Sequence, residues 1–132
     1  GGREVTVTDA NLLLGRLDPQ RLLAVEDVPA ARALAEAFQA QLGDALGLDA
    51  EGAAAAVLRI ANDRMAGALR LVSLSRGHDP RDFALLAFGG AGPLHAVELA
   101  RELGIPTVIV PAQVVAKLTD TETAPASVLM FA

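Results

Sequence analysis

Four small residues, Gly89-Gly90-Ala91-Gly92, separate an apolar run from a helix-like stretch, and they are the part of this sequence best suited to hold a ligand. Glycine at such a turn lets backbone approach a ligand closely, and the N–H groups at a helix start favour an anion or a polar ring. The two familiar phosphate patterns are absent. A Walker-type loop needs Lys-Ser or Lys-Thr after its last glycine, so that the ammonium grips the β and γ phosphates. Here Gly92 is followed by Pro93-Leu94-His95. A dinucleotide fingerprint needs a third glycine three residues after the second, and counting from Gly90-Ala91-Gly92 that place is His95. Pro93 also removes one donor from the helix start. Position still favours a site, because ligands of parallel α/β sheets sit outside the carboxyl ends of the strands. The plain alternative is that the glycines supply only φ > 0 and close strand–helix packing.

Few other residues suggest chemistry. His95 falls in the first turn of the helix after the glycines, where it faces either a ligand or Glu98, three residues on, as a surface pair. Asp9 and Asn11 have the oxygen donors that Mg²⁺ prefers, although Thr8 to Asn11 also reads as a helix start. Asn62 sits beside Leu58, Met65 and Leu69 on the edge of an apolar face, and an amide there needs a hydrogen-bond partner, read here as a structural bond between elements. His78 looks like a turn residue. Arg59, Arg64 and Arg70 read as a solvated face paired with Asp63. No Ser-His-Asp set and no meaningful carboxylate pair is legible.

Composition narrows the field. The 132 residues suit one domain or part of one, and 52% of them are hydrophobic, so a core is easily built. With 3% aromatics and neither Trp nor Tyr, that core must be Ala, Leu and Val. A net charge of −5 argues against nucleic-acid binding, which needs a basic face. The absence of cysteine excludes disulfides, thiol catalysis and Cys-type zinc sites, and two histidines exclude a His-rich metal site. No apolar run approaches the ~18 residues of a membrane span, and the N-terminus has no secretory pattern. A cytoplasmic protein is the expectation. The chain also begins without Met, as an excised piece would.

The elements that must position these residues follow from periodicity. Glu4 to Thr8 alternate and read as a short strand or an extended lead-in. Thr8 then caps a helix that ends at Gly15, and Asp18-Pro19 makes a turn. Pro29 to Gly43 has a helical period, with Asp27 as cap and Ala31, Leu34, Ala35, Phe38 and Leu42 on one face. The stretch "GDALGLD" breaks the chain. A long helix is expected from Ala50 to Ser75, capped by Asp49 and stopped by Gly77. Its apolar row is Val57, Ala61, Met65, Ala68 and Val72, with Arg59, Asp63, Arg70 and Ser73 opposite. Phe83 to Phe88 is an apolar run like a strand buried on both faces. Pro93 suits the first helical position. Ala96, Leu99, Ala100 and Leu103 form a buried stripe, and His95, Glu98 and Glu102 a polar one. Gly104 and Pro106 end this helix, and Thr107 to Val110 is the next strand. Such a short strand–helix–strand unit implies parallel strands with a right-handed crossover. Val128 to Phe131 is a further candidate strand.

The strings "VTVTDANLLLGRLDP" and "RIANDRMAGALRLVSLSRGHDPRDFALLAFGGAGPLHAVELARELGIPTVIVP" together resemble the A-type subunit of the hydantoinase/5-oxoprolinase family, over residues 5–111 in order. The resemblance implies the actin/Hsp70/sugar-kinase type of ATPase fold, of which this chain would be a partial domain. The family uses ATP and Mg²⁺ to activate a lactam or imide carbonyl for opening by water. Phosphorylating the carbonyl oxygen makes a leaving group and a more electrophilic carbon. A B-type subunit and a cyclic amide substrate are the implied partners. Carried over, Gly89, Gly90, Ala91 and Gly92 are similar to the turn that meets the nucleotide's adenosine end rather than the γ-phosphate. The family's Asp-x-Gly-Gly-Thr phosphate loops are absent here and would lie earlier in a longer parent. Asp9 and Asn11 match a family motif without an assigned role. Residues 112–132 depart from the family's Gly-rich pattern.

Three expectations follow. The chain is a C-terminal piece of an ATP-dependent cyclic-amide hydrolase, inactive alone and supplying the adenosine side of the cleft. The alternative within enzymes is a fragment of an ATP-dependent ketone carboxylase. The alternative outside them is a non-catalytic assembly module whose Ala/Leu faces pair with a partner or with a second copy.

Overall fold

A computed structural model describes residues 4–21, 30–111 and 128–131. It is α/β and divides into two compact units, Gly1–Ala61 and Asn62–Ala132, with the division falling inside the longest helix.

The first unit opens with α1 (Val7–Leu13). Of the short strand or extended lead-in expected over residues 4–8, only extended backbone at Thr6 leads into the helix, and the cap is Thr6 rather than Thr8. Thr6 and Asp9 make a reciprocal capping box: Asp9 N–H donates to Thr6 Oγ1 at 3.2 Å, and Thr6 N–H donates to Asp9 Oδ2 at 2.8 Å. That exchange satisfies two backbone donors, which outweighs the weak β preference of Val and Thr. Beyond α1, Arg16 N–H donates to Asn11 O at 2.8 Å around Gly15. The Asp18-Pro19 turn forms, with Gln20 N–H on Asp18 Oδ1 at 2.9 Å. The cap proposed at Asp27 and the opening proline Pro29 lie outside the described residues.

Next comes α2 (Ala31–Phe38), which buries Leu34 and Phe38. It passes through a π turn (Gln39–Gly43) into α3 (Asp44–Leu46). The break expected at Gly43 therefore falls at Gly47, whose φ of 65° ends the helix. Gly43 stays helical and buried, and a Cβ there would meet Leu48 O at 2.8 Å, so its role is close packing. The 26-residue α4 (Ala50–Ser75) begins as expected, with Gly52 N–H on Asp49 Oδ1 at 2.7 Å. Phe38, Ala10, Ala53, Ala54 and Leu58 form the core of this unit.

In the second unit, the buried row of α4 is not the expected one. Ala66 and Ser73 are buried and Met65 and Leu69 half-buried, while Ala68 and Val72 are exposed. Ser73, expected on the polar side, instead turns its hydroxyl onto Leu69 O at 2.9 Å, which satisfies it inside the helix. Gly77, at φ 75°, follows the helix end, and His78 stacks edge-on to Phe83 at 5.4 Å. Asp79 then caps a 3₁₀ turn (Pro80–Asp82) and holds Arg81 at 2.6 Å.

The sheet has the order β2-β1-β3 with β1 (Ala84–Ala87) central, β2 (Thr107–Ile109) on one side and β3 (Val128–Phe131) on the other. Both pairings are parallel, in the registers Leu85↔Val108 and Leu85↔Leu129. β1 is fully covered on one face only: Leu85 and Ala87 are buried, Ala84 and Leu86 half-buried. Between β1 and β2 runs α5 (Gly92–Leu103), whose Ala96, Leu99, Ala100 and Leu103 pack on Leu85, Ala87, Ala66 and Ile105. Gly104, at φ 69°, closes α5, with Ile105 N–H on Ala100 O at 2.8 Å.

Candidate functional site

The glycine turn sits where the sequence puts it, between the carboxyl end of β1 and the first turn of α5. Helix α5 starts at Gly92, so Pro93 occupies its second position, one later than expected. Gly89, Gly90 and Ala91 are exposed, and Gly92 is buried. Ala91 precedes the helix with no side-chain cap.

Each glycine can be asked why it is glycine. Gly89 has φ 79°, a left-handed conformation in which a side chain is strained. Gly90 has no such φ, and a Cβ added there would meet nothing within 4 Å. Close packing therefore does not account for Gly90, nor does backbone geometry. Its bareness leaves an open stretch of backbone at the end of a parallel strand, where the N-terminal dipole of α5 is directed. Among the described residues there is no Lys to grip a phosphate at this turn.

His95 is not on a polar surface stripe. It is 5% exposed, and its Nδ1 lies 2.7 Å from Asn62 Oδ1 on α4. Glu98, expected as its partner, is instead 3.2 Å from Arg101. Asn62 does make the inter-element bond foreseen for it, and what sequence reasoning missed was which residue it meets. A signal was present, since His95 precedes Leu99 and Leu103 by four and eight residues and so shares their inward face. Arg70, expected on a solvated face with Asp63, donates to Glu102 O at 3.1 Å and lies 3.6 Å from the Glu102 carboxylate.

Asp9 and Asn11 belong to the other unit. The Asp9 carboxylate accepts from Thr6 N–H and, at 2.7 Å, from Thr6 Oγ1, so it is engaged in the α1 cap. Asn11 is buried; its Nδ2 donates to Val7 O at 3.0 Å, while Oδ1 has no hydrogen-bond partner among the described residues. Among the described residues no group of three or more His, Cys, Asp or Glu is arranged to hold a metal ion, and no helix is long and apolar enough to cross a membrane.

A parallel α/β unit with an open glycine turn at a strand's carboxyl end defines a broad class of ligand-binding domains. The class narrows on comparison. The hydantoinase/oxoprolinase family profile matches residues 1–119, a stretch that contains the whole of 5–111, and the chain belongs to that family. It is 41% identical to the caprolactamase subunit alpha of Pseudomonas jessenii, over 84% of this chain and 16% of that one. The crystal structure of the ATP-dependent caprolactamase from the same organism superposes over 84% of this chain and 16% of that one with a TM-score of 0.77, at 41% identity. The acetone carboxylase beta subunit of Xanthobacter autotrophicus is 35% identical over 85% of this chain and 16% of its own length. The 5-oxoprolinase 1 of Arabidopsis thaliana is 35% identical over 83% of this chain and 10% of its own length. The chain thus spans about a sixth or less of these relatives.

Proposed function

We propose that this chain is part of an ATP-dependent enzyme that opens lactam or imide rings, and that Gly89, Gly90, Ala91 and Gly92 supply the adenosine side of its nucleotide cleft. The observation that carries the reading is Gly90, whose missing side chain is demanded neither by backbone nor by neighbours. A nucleoside seated against that turn would give the glycine its reason. Family membership and the named activities of the caprolactamase and 5-oxoprolinase relatives supply the reaction class. ATP, when bound, would supply the phosphoryl group that activates the amide carbonyl. On this reading Mg²⁺ and the γ-phosphate would be held by other parts of a longer protein. Partner subunits of the B type fit the subunit names of the relatives.

Titration of this chain with adenosine, ADP and inorganic tripolyphosphate tests the reading. Adenosine and ADP bind with similar affinity, tripolyphosphate does not compete, and no ATP is turned over. Competition by tripolyphosphate, or turnover by this chain, refutes the assignment to the adenosine side. A carboxylase fragment is the second reading, favoured by the 35% identity to an acetone carboxylase subunit. A panel of cyclic amides and ketones offered to the full complex decides between them.

A further inference from the structure

Asn62 and His95 are 33 residues apart in sequence, yet their side chains meet at 2.7 Å in a largely apolar seam. Around them Met65, Ala66 and Leu69 of α4 pack with Ala96, Leu99, Ala100 and Leu103 of α5. The second polar contact of the seam, Arg70 to Glu102, is half-exposed and joins the other end of α5. Residue numbers rise together from one contact to the other, so the two helices run in the same direction. At 1.5 Å per residue the contacts are roughly 10–12 Å apart. An Ala/Leu seam tolerates small slips, because dispersion and burial are non-directional. A directional hydrogen bond does not, since any slip stretches or breaks it. An amide oxygen only accepts, so Asn62 Oδ1 makes His95 Nδ1 the protonated ring nitrogen.

His95 is three residues beyond Gly92, in the first turn of α5. We propose that Asn62 and His95 are positioning residues: their partly buried bond fixes the first turn of α5, and with it the Gly89–Ala91 backbone, and so sets the affinity of the glycine turn for an adenine nucleotide. The proposal rests on the reading of that turn as the adenosine contact.

The test uses this chain, ADP as probe, and three readouts: ADP affinity, thermal midpoint, and the NMR signals of the His95 ring and the Gly89–Ala91 amides. Wild-type His95 shows the Nδ1–H tautomer. His95→Asn, which keeps a donor near the Nδ1 position, retains wild-type affinity. The double variant Asn62→Leu with His95→Leu replaces the pair by apolar groups and holds its thermal midpoint. It nevertheless binds ADP roughly three- to thirtyfold more weakly, and its Gly89–Ala91 amide signals broaden or shift. Wild-type affinity in that double variant overturns the proposal, as does an Nε2–H tautomer in the parent. Should the wild-type chain not bind ADP at all, the nucleotide reading fails by itself. The positioning claim is then judged by the Gly89–Ala91 amide signals, and unchanged signals in the double variant overturn it.

Discussion

Substituting Gly89 and Gly90 separately divides what the fold needs from what a ligand needs. At Gly90 a methyl meets nothing within 4 Å and the backbone is not left-handed, so Gly90→Ala acts mainly on the unfolded chain. Restricting that chain stabilises by about 0.4–1 kcal/mol. At Gly89, with φ 79°, the same unfolded-state gain is opposed by a left-handed strain of about 1–2 kcal/mol. The difference between the two variants isolates the strain, and at roughly 4 °C per kcal/mol for a chain of this size it separates their melting temperatures by several degrees. Gly90→Val then places two methyl groups over the exposed turn. It should leave the fold intact and weaken adenine-nucleotide binding about tenfold, the loss of ~1.4 kcal/mol of contact. Differential scanning calorimetry and ADP titration of the three variants read both quantities. If Gly90→Ala melts as low as Gly89→Ala, the geometric account of the turn is wrong. If Gly90→Val binds ADP as the wild type does, the turn is not the nucleotide contact.

Other perturbations test the scaffold. Thr6→Ala removes the α1 capping box and should cost about 1 kcal/mol in chemical denaturation; no change would mean α1 is held by packing alone. Asn11→Asp keeps the size of a buried side chain but replaces its Nδ2 donor to Val7 O with an acceptor, so stability at neutral pH should fall by about 1–3 kcal/mol; no loss would show that this bond contributes nothing. Leu99→Ala, at the centre of the sheet-facing core, should cost about 2–5 kcal/mol in the same assay. Hydrogen bonds from the Arg81 side chain and backbone hold the Asp79 carboxyl down at about 2. A depressed pKa stabilises above the unfolded value near 3.8 and ceases to do so as pH falls through about 2. The stability curves of wild type and Asp79→Asn should therefore run parallel above pH ~4 and converge between ~4 and ~2.

Within the second unit α5 was the most legible element, because it carries two agreeing signals. The α5 stripe has a period of 3.6 residues and a glycine stop, and all four of its expected core residues are buried. The strand at Val128 to Phe131 was legible only as a short β-prone run; its place beside β1 is a long-range pairing that no local signal encodes. α4 shows the opposite failure. Its ends were read correctly, Asp49 capping one and Gly77 following the other, but its buried row was not. Ile60, Leu71, Val72 and Leu74 are all exposed, so apolar residues surround the helix and periodicity has no unique solution. Thr6 against Thr8 is a similar contest. Both can cap, and the choice is made by Asp9, which lies three residues after Thr6 and so completes a box that Thr8 could not.

The glycine turn was legible in position and not in purpose, and the reason is physical. Spacing excludes phosphate motifs because those depend on particular side chains at particular offsets. It cannot separate a glycine needed for φ from one needed for bareness, because both leave the same letter. Coordinates separate them: φ 79° accounts for Gly89, and the empty 4 Å around a Gly90 Cβ removes packing as its cause. The same logic applies to His95. Its letter allowed a surface pair with Glu98 as readily as a buried bond, since positions three apart on a helix are neighbours. The α4–α5 seam decides the matter, because Asn62 on that seam also needed a partner and only a donor could serve its oxygen. Two polar residues that each look anomalous on an apolar face are thus one feature, and it lies a single helical turn from the backbone whose position it controls.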